Sequence, residues 1–195
     1  MLYSPPFYRC DAKRRTAEEG SIFVNLLPDN FNVASYFVDR HILEGRGENI
    51  AVECGDQEVS YRELLIRVNR VGNALLELGV RMEERVAILL PDSPEFLSAF
   101  FGAIKIGAVA VPLNTYLQSP DYEFLLNDTR ARTLLIHATL LPLVSVIRKE
   151  RLEYLEEIVV VGGECAGYLS FGSLTESSSP ELTAAPTSNA RSLNR

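Results

Sequence analysis

Leu64, Val68, Val71, Leu75 and Leu78 follow one another at alternating steps of four and three residues, which marks one continuous helical stripe. Ser60-Tyr61-Arg62-Glu63 in front of it is a capping box, the hydroxyl reaching forward and the carboxylate back. Gly79 behind it supplies the left-handed stop, with Val80 to pack against the last turn. Upstream, Asn32 can cap a helix that runs through Val38 and Ile42 and stops near Gly45. Between the two helices, Ile50 to Cys54 and Glu58 to Ser60 flank Gly55-Asp56-Gln57 and predict a short hairpin.

From residue 85 the pattern becomes a repeating strand–helix unit. Val86 to Leu90, Ala108 to Val111, Leu134 to Ile136 and Ile158 to Val161 are solid apolar runs, as expected of strands covered on both faces. The segments between them read as helices: Glu95 to Ile106 after a Ser93 cap and Pro94, Ser119-Pro120 through Leu126, and Leu140 to Arg151. Strands some two dozen residues apart leave room for one crossover helix each time. The fold class is therefore α/β, a doubly wound, mainly parallel sheet with helices on both faces. The helix Glu95 to Ile106 carries only Glu95, Ser98 and Lys105 as polar side chains, so it needs protein on more than one side.

The ends lack this order. Residues 1–24 form a loosely held leader, 25–175 the α/β subdomain, and 176–195 a Ser-, Thr- and Pro-rich tail with no apolar period. That tail reads as disordered, the product of a truncation or a shifted frame.

The chain has 195 residues, with 19 Lys and Arg against 26 Asp and Glu, a net charge of −7. That balance argues against a nucleic-acid partner, and the longest apolar runs are too short to span a bilayer. Met1 to Gly20 holds no apolar stretch followed by a small-residue cleavage site, so secretion is not expected. Cys10, Cys54 and Cys165 form no CxxC pair, which fits a reduced, cytoplasmic protein without a zinc site.

Candidate chemistry is sparse. Gly102 to Gly107 has the glycine spacing of a phosphate loop, but Ala108-Val109 stand where Lys and Ser/Thr would be needed. Gly162-Gly163 follows a strand and could approach a phosphate; with no cap or basic residue behind it, a turn is favoured. His137 ends a strand, where open α/β sheets bind ligands, yet no nucleophile pattern accompanies it. His41 flanks an amphipathic helix and reads as a surface residue. Pro91-Asp92-Ser93 and Pro112-Leu113-Asn114-Thr115 also sit at strand ends, where turn chemistry and capping account for them. No catalytic, cofactor-binding or metal-binding residue is assigned.

Two runs carry a resemblance: Arg85 to Phe96 (RVAILLPDSPEF) and Ala99 to Thr115 (AFFGAIKIGAVAVPLNT). With Tyr61 to Leu64, Asn69-Arg70 and Leu78 to Val80 in the same order, they resemble the N-terminal part of the adenylate-forming, AMP-binding acyl-CoA synthetases. Phe31 to Tyr36, Tyr122 and Leu140 to Pro142 are most similar to the benzoate– and 4-hydroxybenzoate–CoA ligases. The resemblance spans roughly Leu27 to Leu174. It implies a full-length enzyme that uses ATP, Mg and CoA to convert an aromatic carboxylate first to an adenylate and then to a thioester. The phosphate loop, the magnesium carboxylate, the ribose-binding acid and the lid lysine of that family lie beyond the matched region. The expectation is a truncated, inactive aryl-acid–CoA ligase whose partner is the missing remainder of its own fold. An autonomous, non-catalytic α/β module binding a protein partner or a nucleotide is the alternative.

Overall fold

A computed structural model of the chain describes residues 30–187, of which Asn32–Thr187 forms one unit. The leader 1–24, Cys10 and residues 188–195 of the expected tail lie outside the described residues. β1 (Ile50–Cys54) and β2 (Gln57–Ser60) make the antiparallel hairpin. β3 (Arg85–Leu89), β4 (Val109–Pro112), β5 (Ala131–His137), β6 (Glu157–Val161) and β7 (Leu169–Ser170) form the main sheet in the order β4-β3-β5-β6-β7. Every neighbouring pair in it is parallel. The chain thus steps from β3 to β4 on one side, then crosses back past β3 to lay down β5, β6 and β7 on the other. β3 and β5 flank the point where the winding reverses.

Why the strand runs are solidly apolar is visible in their alternation. Val86, Ile88 and Leu90, with Leu135, Val159 and Val161, point into one core; Ala87, Leu89, Leu134, Ile136 and Val160 point into the other. The first core is roofed by α2 (Tyr61–Glu77) and α3 (Pro94–Lys105), through Val71, Leu75, Ala99 and Ala103. The second is roofed by α4 (Ser119–Asp128) and α5 (Leu141–Ser145), through Tyr122, Leu126, Leu141 and Val144. A smaller cluster joins Val38, Val59, Leu64 and Val68 beneath the hairpin. α1 (Arg40–Leu43) is entered through a π-helical stretch, Ser35–Asp39, and Asn32 Oδ1 accepts the Ala34 N–H at 3.0 Å as its cap. The capping box of α2 forms as its sequence requires, Ser60 and Glu63 bonding reciprocally. Its hydrogen bonds to Ser60 hold the Glu63 carboxyl below the ordinary glutamate range.

Several expectations need correction. The helix expected from Leu140 to Arg151 is only the short α5 followed by a 3-10 turn, Lys149–Arg151. α4 is capped by Gln118 rather than Ser119: the Gln118 backbone N–H donates to Asp121 Oδ2 at 3.0 Å, and the Asp121 N–H donates to the Gln118 carbonyl at 2.9 Å. β7 and α6 (Phe171–Ser177) were not anticipated: a two-residue strand carries no period, and FGSLTES offers no apolar stripe. Their order comes from a partner strand, β6, and from Phe171 and Leu174 packing on the first core.

The larger correction concerns the tail. Residues 178–187 do not lie free but run as an extended strap against α2 and α3. Asn69 donates to the Pro180 carbonyl at 2.7 Å, and Asn73 donates to those of Ser179 and Glu181 at 2.8 and 2.9 Å. The Ala185 N–H donates to the Lys105 carbonyl at 2.8 Å. Leu182 fills a slot over Gly72, where a Cβ would collide with it. Gly72 and Gly102 also let α2 and α3 approach closely: a Cβ on Gly102 would stand 2.8 Å from Val71 Cγ1. The strap lacks apolar periodicity because its order is supplied by asparagine side chains of other elements. It also supplies part of the cover that α3 was expected to need; the rest is left open, since Phe96, Phe100 and Phe101 remain half-buried beside exposed Phe37.

Cys54 and Cys165 are free thiols. Among the described residues no helix is long and apolar enough to cross a membrane. Replacing Leu75, 1% exposed in the first core, by Ala is expected to lower the unfolding free energy by about 2–5 kcal/mol in denaturant titration. An unchanged midpoint would place the buried face of α2 elsewhere.

Candidate functional site

The loops that leave β3, β5, β6 and β7 at their carboxyl ends converge beside the reversal of winding, where open α/β sheets form a ligand crevice. There they enclose a cleft of about 650 Å³, walled on the other side by α2. Pro91 and Ser93 come from the loop after β3, His137 from the end of β5, and Gly162 and Gly163 from the turn after β6. Three of the segments singled out in the sequence are therefore neighbours in space. Pro112 to Thr115 is not among them. That loop belongs to the other core, tied down by the Leu113 N–H to the Ile88 carbonyl and by the Tyr122 hydroxyl, which donates to the Asn114 carbonyl at 2.9 Å. Burial of Tyr122 pushes its phenol above the ordinary tyrosine range.

His137 is held rather than free. Its Nδ1 lies 2.8 Å from Thr139 Oγ1 and accepts the Thr139 backbone N–H at 3.3 Å. A neutral ring accepting at Nδ1 carries its proton on Nε2. The Nε2 edge packs over Gly162, where a Cβ would stand only 2.6 Å away. Gly162 also has φ +82°, so both its backbone and its space require glycine. The turn reading of Gly162-Gly163 holds, with the added function of seating the imidazole. The Gly102 to Gly107 spacing is helix packing and a stop, Gly107 closing α3 with φ +80°. His41 is part-buried, stacked on Tyr61 with ring centroids 3.8 Å apart, and Arg46 Nε donates to its Nδ1 at 3.1 Å. Loss of hydration, then the Arg46 and Arg40 charges, push its pKa below the usual value.

What the sequence did not disclose is the basic wall. Arg67 and Arg70, three residues apart on α2, both line the cleft. Arg67 meets Glu95 loosely at 3.7 Å, and Arg70 Nε is buried without a hydrogen-bond partner. Ser93 and Ser170 stand at the rim, each accepting a backbone N–H of the helix it caps. Glu95 and Glu164 add two carboxylates. Asn69-Arg70 was visible only as part of a family pattern, since their positions relative to a strand-end loop depend on tertiary packing. No three His, Cys, Asp or Glu stand together as a metal site among the described residues.

The sequence profile of the AMP-binding enzymes matches residues 39–189, more than three quarters of the chain. The chain belongs to the AMP-binding enzyme family. The match continues past Leu174 and takes in the strap, ending at residue 189. A benzoate–CoA ligase of Thauera aromatica is 37% identical over 162 residues, which are 83% of this chain and 30% of that one. A 4-hydroxybenzoate–CoA/benzoate–CoA ligase of Rhodopseudomonas palustris is 39% identical over 145 residues, 74% of this chain and 27% of that one. Among solved structures, an anthranilate–CoA ligase in complex with anthranoyl-AMP superposes with a TM-score of 0.80 at 40% identity, covering 85% of this chain and 32% of that one. This chain thus spans just under a third of the length of the relatives it matches.

Replacing Gly162 by Ala is expected to cost at least the roughly 1–2 kcal/mol of a left-handed non-glycine residue, and to displace the His137 ring. An unchanged melting temperature together with unchanged His137 side-chain NMR shifts would show that the imidazole does not rest on Gly162.

Proposed function

We propose that these residues are the first α/β subdomain of an aryl-acid–CoA ligase of the benzoate and hydroxybenzoate type. The complete enzyme would activate an aromatic carboxylate with ATP and transfer the acyl group to CoA in the cytoplasm. The observation that carries this reading is the profile match over 39–189, joined to 37–40% identity with ligases of aromatic acids. A free-standing binding module finds no counterpart among the relatives named above.

The residues present do not fit Mg-ATP by themselves. Two guanidiniums in the cleft are balanced by Glu95 and Glu164, and no Gly/Ser/Thr loop leads to Pro-Lys-Gly anywhere in the sequence. Such a loop is needed because backbone N–H groups and hydroxyls must track the charge that develops on a transferring phosphate. The role of this segment is accordingly to build and hold one wall of the fold, and the isolated chain carries no adenylation activity.

The test is a graft. Residues 32–187 are substituted for the matching segment of the Thauera benzoate–CoA ligase, and benzoate-dependent ATP–pyrophosphate exchange is measured. The graft is expected to retain exchange within about tenfold of the parent, while the 195-residue chain alone gives none above the no-enzyme rate. A folded graft with no exchange, or exchange by the chain alone, contradicts the proposal.

A further inference from the structure

We propose that the groove between α4 and the segment that follows α5 is a self-association surface, occupied by a second copy of this chain across a two-fold axis. The groove holds about 670 Å³ and is built on the helices that roof the second core, away from α2 and the cleft. Two large apolar side chains open onto it: Phe124 of α4, 66% exposed, and Val146 at the end of α5, 70% exposed. A lone exposed apolar residue is ordinary, whereas two that face one groove form a patch that association would bury. The walls are already tied to each other. Asn127 Nδ2 donates to the Arg151 carbonyl at 2.7 Å, Asn127 Oδ1 accepts the Glu153 N–H at 3.0 Å, and the Arg151 guanidinium meets Glu123 at 2.6 Å. The groove is therefore preformed, and a partner need not first order it.

The charges on the rim select the partner. Asp128 and Arg148 line the same groove, both are exposed, and among the described residues neither makes an ion pair. Asp128 is also the last residue of α4, where the helix dipole opposes a carboxylate, so it gains from a cation brought by another molecule. One acid, one base and two apolar groups make a self-complementary set. A two-fold axis sets Arg148 of one copy against Asp128 of the other, and the same pair recurs because an isologous contact always occurs twice. Between the two pairs, Phe124 of each copy covers Val146 of the other. The acid and the base cancel, leaving no net field to select a nucleic acid, an acidic peptide or an anionic membrane. Exposed ion pairs add little affinity, so the charges set the register and the apolar groups supply the binding.

The test is sedimentation velocity of the 195-residue chain over a range of concentrations. A reversible dimer is expected, and Phe124→Glu should weaken it by about tenfold or more. Phe37→Glu, which alters the exposed ring beside Phe101 of α3, should leave the dimer unchanged. Asp128→Lys alone and Arg148→Glu alone each set like charges together and should weaken the dimer severalfold, while the two combined should restore it. All of these side chains are exposed, so the variants should melt as the parent does. Should Phe124→Glu not fold, the charge exchange alone carries the test. A chain that stays monomeric at every concentration, or association lost in Phe37→Glu but kept in Phe124→Glu, would overturn the proposal. So would charge reversals that the double exchange does not rescue, or assembly that grows past two copies, since an isologous contact closes at the dimer.

Discussion

A single buried ammonium organises one half of this domain. Lys105, 1% exposed at the end of α3, places its Nζ 2.7 Å from Asp39 Oδ1 and 2.7 Å from Asn69 Oδ1. Removing an ammonium from water costs several kcal/mol, and that cost is offset only where its protons are taken up by well-placed acceptors. Asp39 and Asn69 are therefore fixed in position, and with them the approach of the first helical segment and of α2. Asn69 then has its amide nitrogen free in one direction, and it donates to the Pro180 carbonyl. The strap 178–187 is in this way connected to the lysine through one asparagine. The backbone of Lys105 holds the strap a second time, through Ala185, and Asn32 donates to the carbonyls of both Lys105 and Ala185.

This polar cluster and the cleft share α2. Asn69 and Arg70 are adjacent in sequence but point to different tasks, the first toward the lysine and the strap, the second toward the strand ends. Fixing Asn69 fixes the rotation of the helix, and the rotation decides where Arg67 and Arg70 present their guanidiniums. The close approach of α2 and α3 at Gly72 and Gly102 sets the depth of the same wall. Packing on the sheet and the geometry of the site are thus two consequences of one helix placement.

Much of the fold was legible because two physical periods dominate it. The stripe of α2 and the unbroken apolar strands of the sheet appear directly in the sequence, and the strand spacing implied the doubly wound order. What was not legible depends on contacts between distant residues. The strap is rich in Ser, Thr and Pro and carries no period, yet it is ordered by Asn69, Asn73 and Asn32 from elsewhere in the chain. Lys105 was one of only three polar side chains on α3, and nothing in the sequence showed that it is buried against Asp39 and Asn69. Of the site, His137, Gly162-Gly163 and Ser93 were marked by their places at strand ends. Arg67 and Arg70 were not, since a basic residue on the flank of an amphipathic helix ordinarily faces water.

The central claim is that the buried lysine and its asparagines fix the strap as part of the folded domain. Native-state hydrogen exchange at the Ala185 amide, which donates to the Lys105 carbonyl, tests it most directly. The amide should exchange at least about a hundredfold more slowly than in an unstructured peptide, and Asn69→Ala should abolish most of that protection. Exchange at the unstructured rate in the unmodified chain would contradict the account.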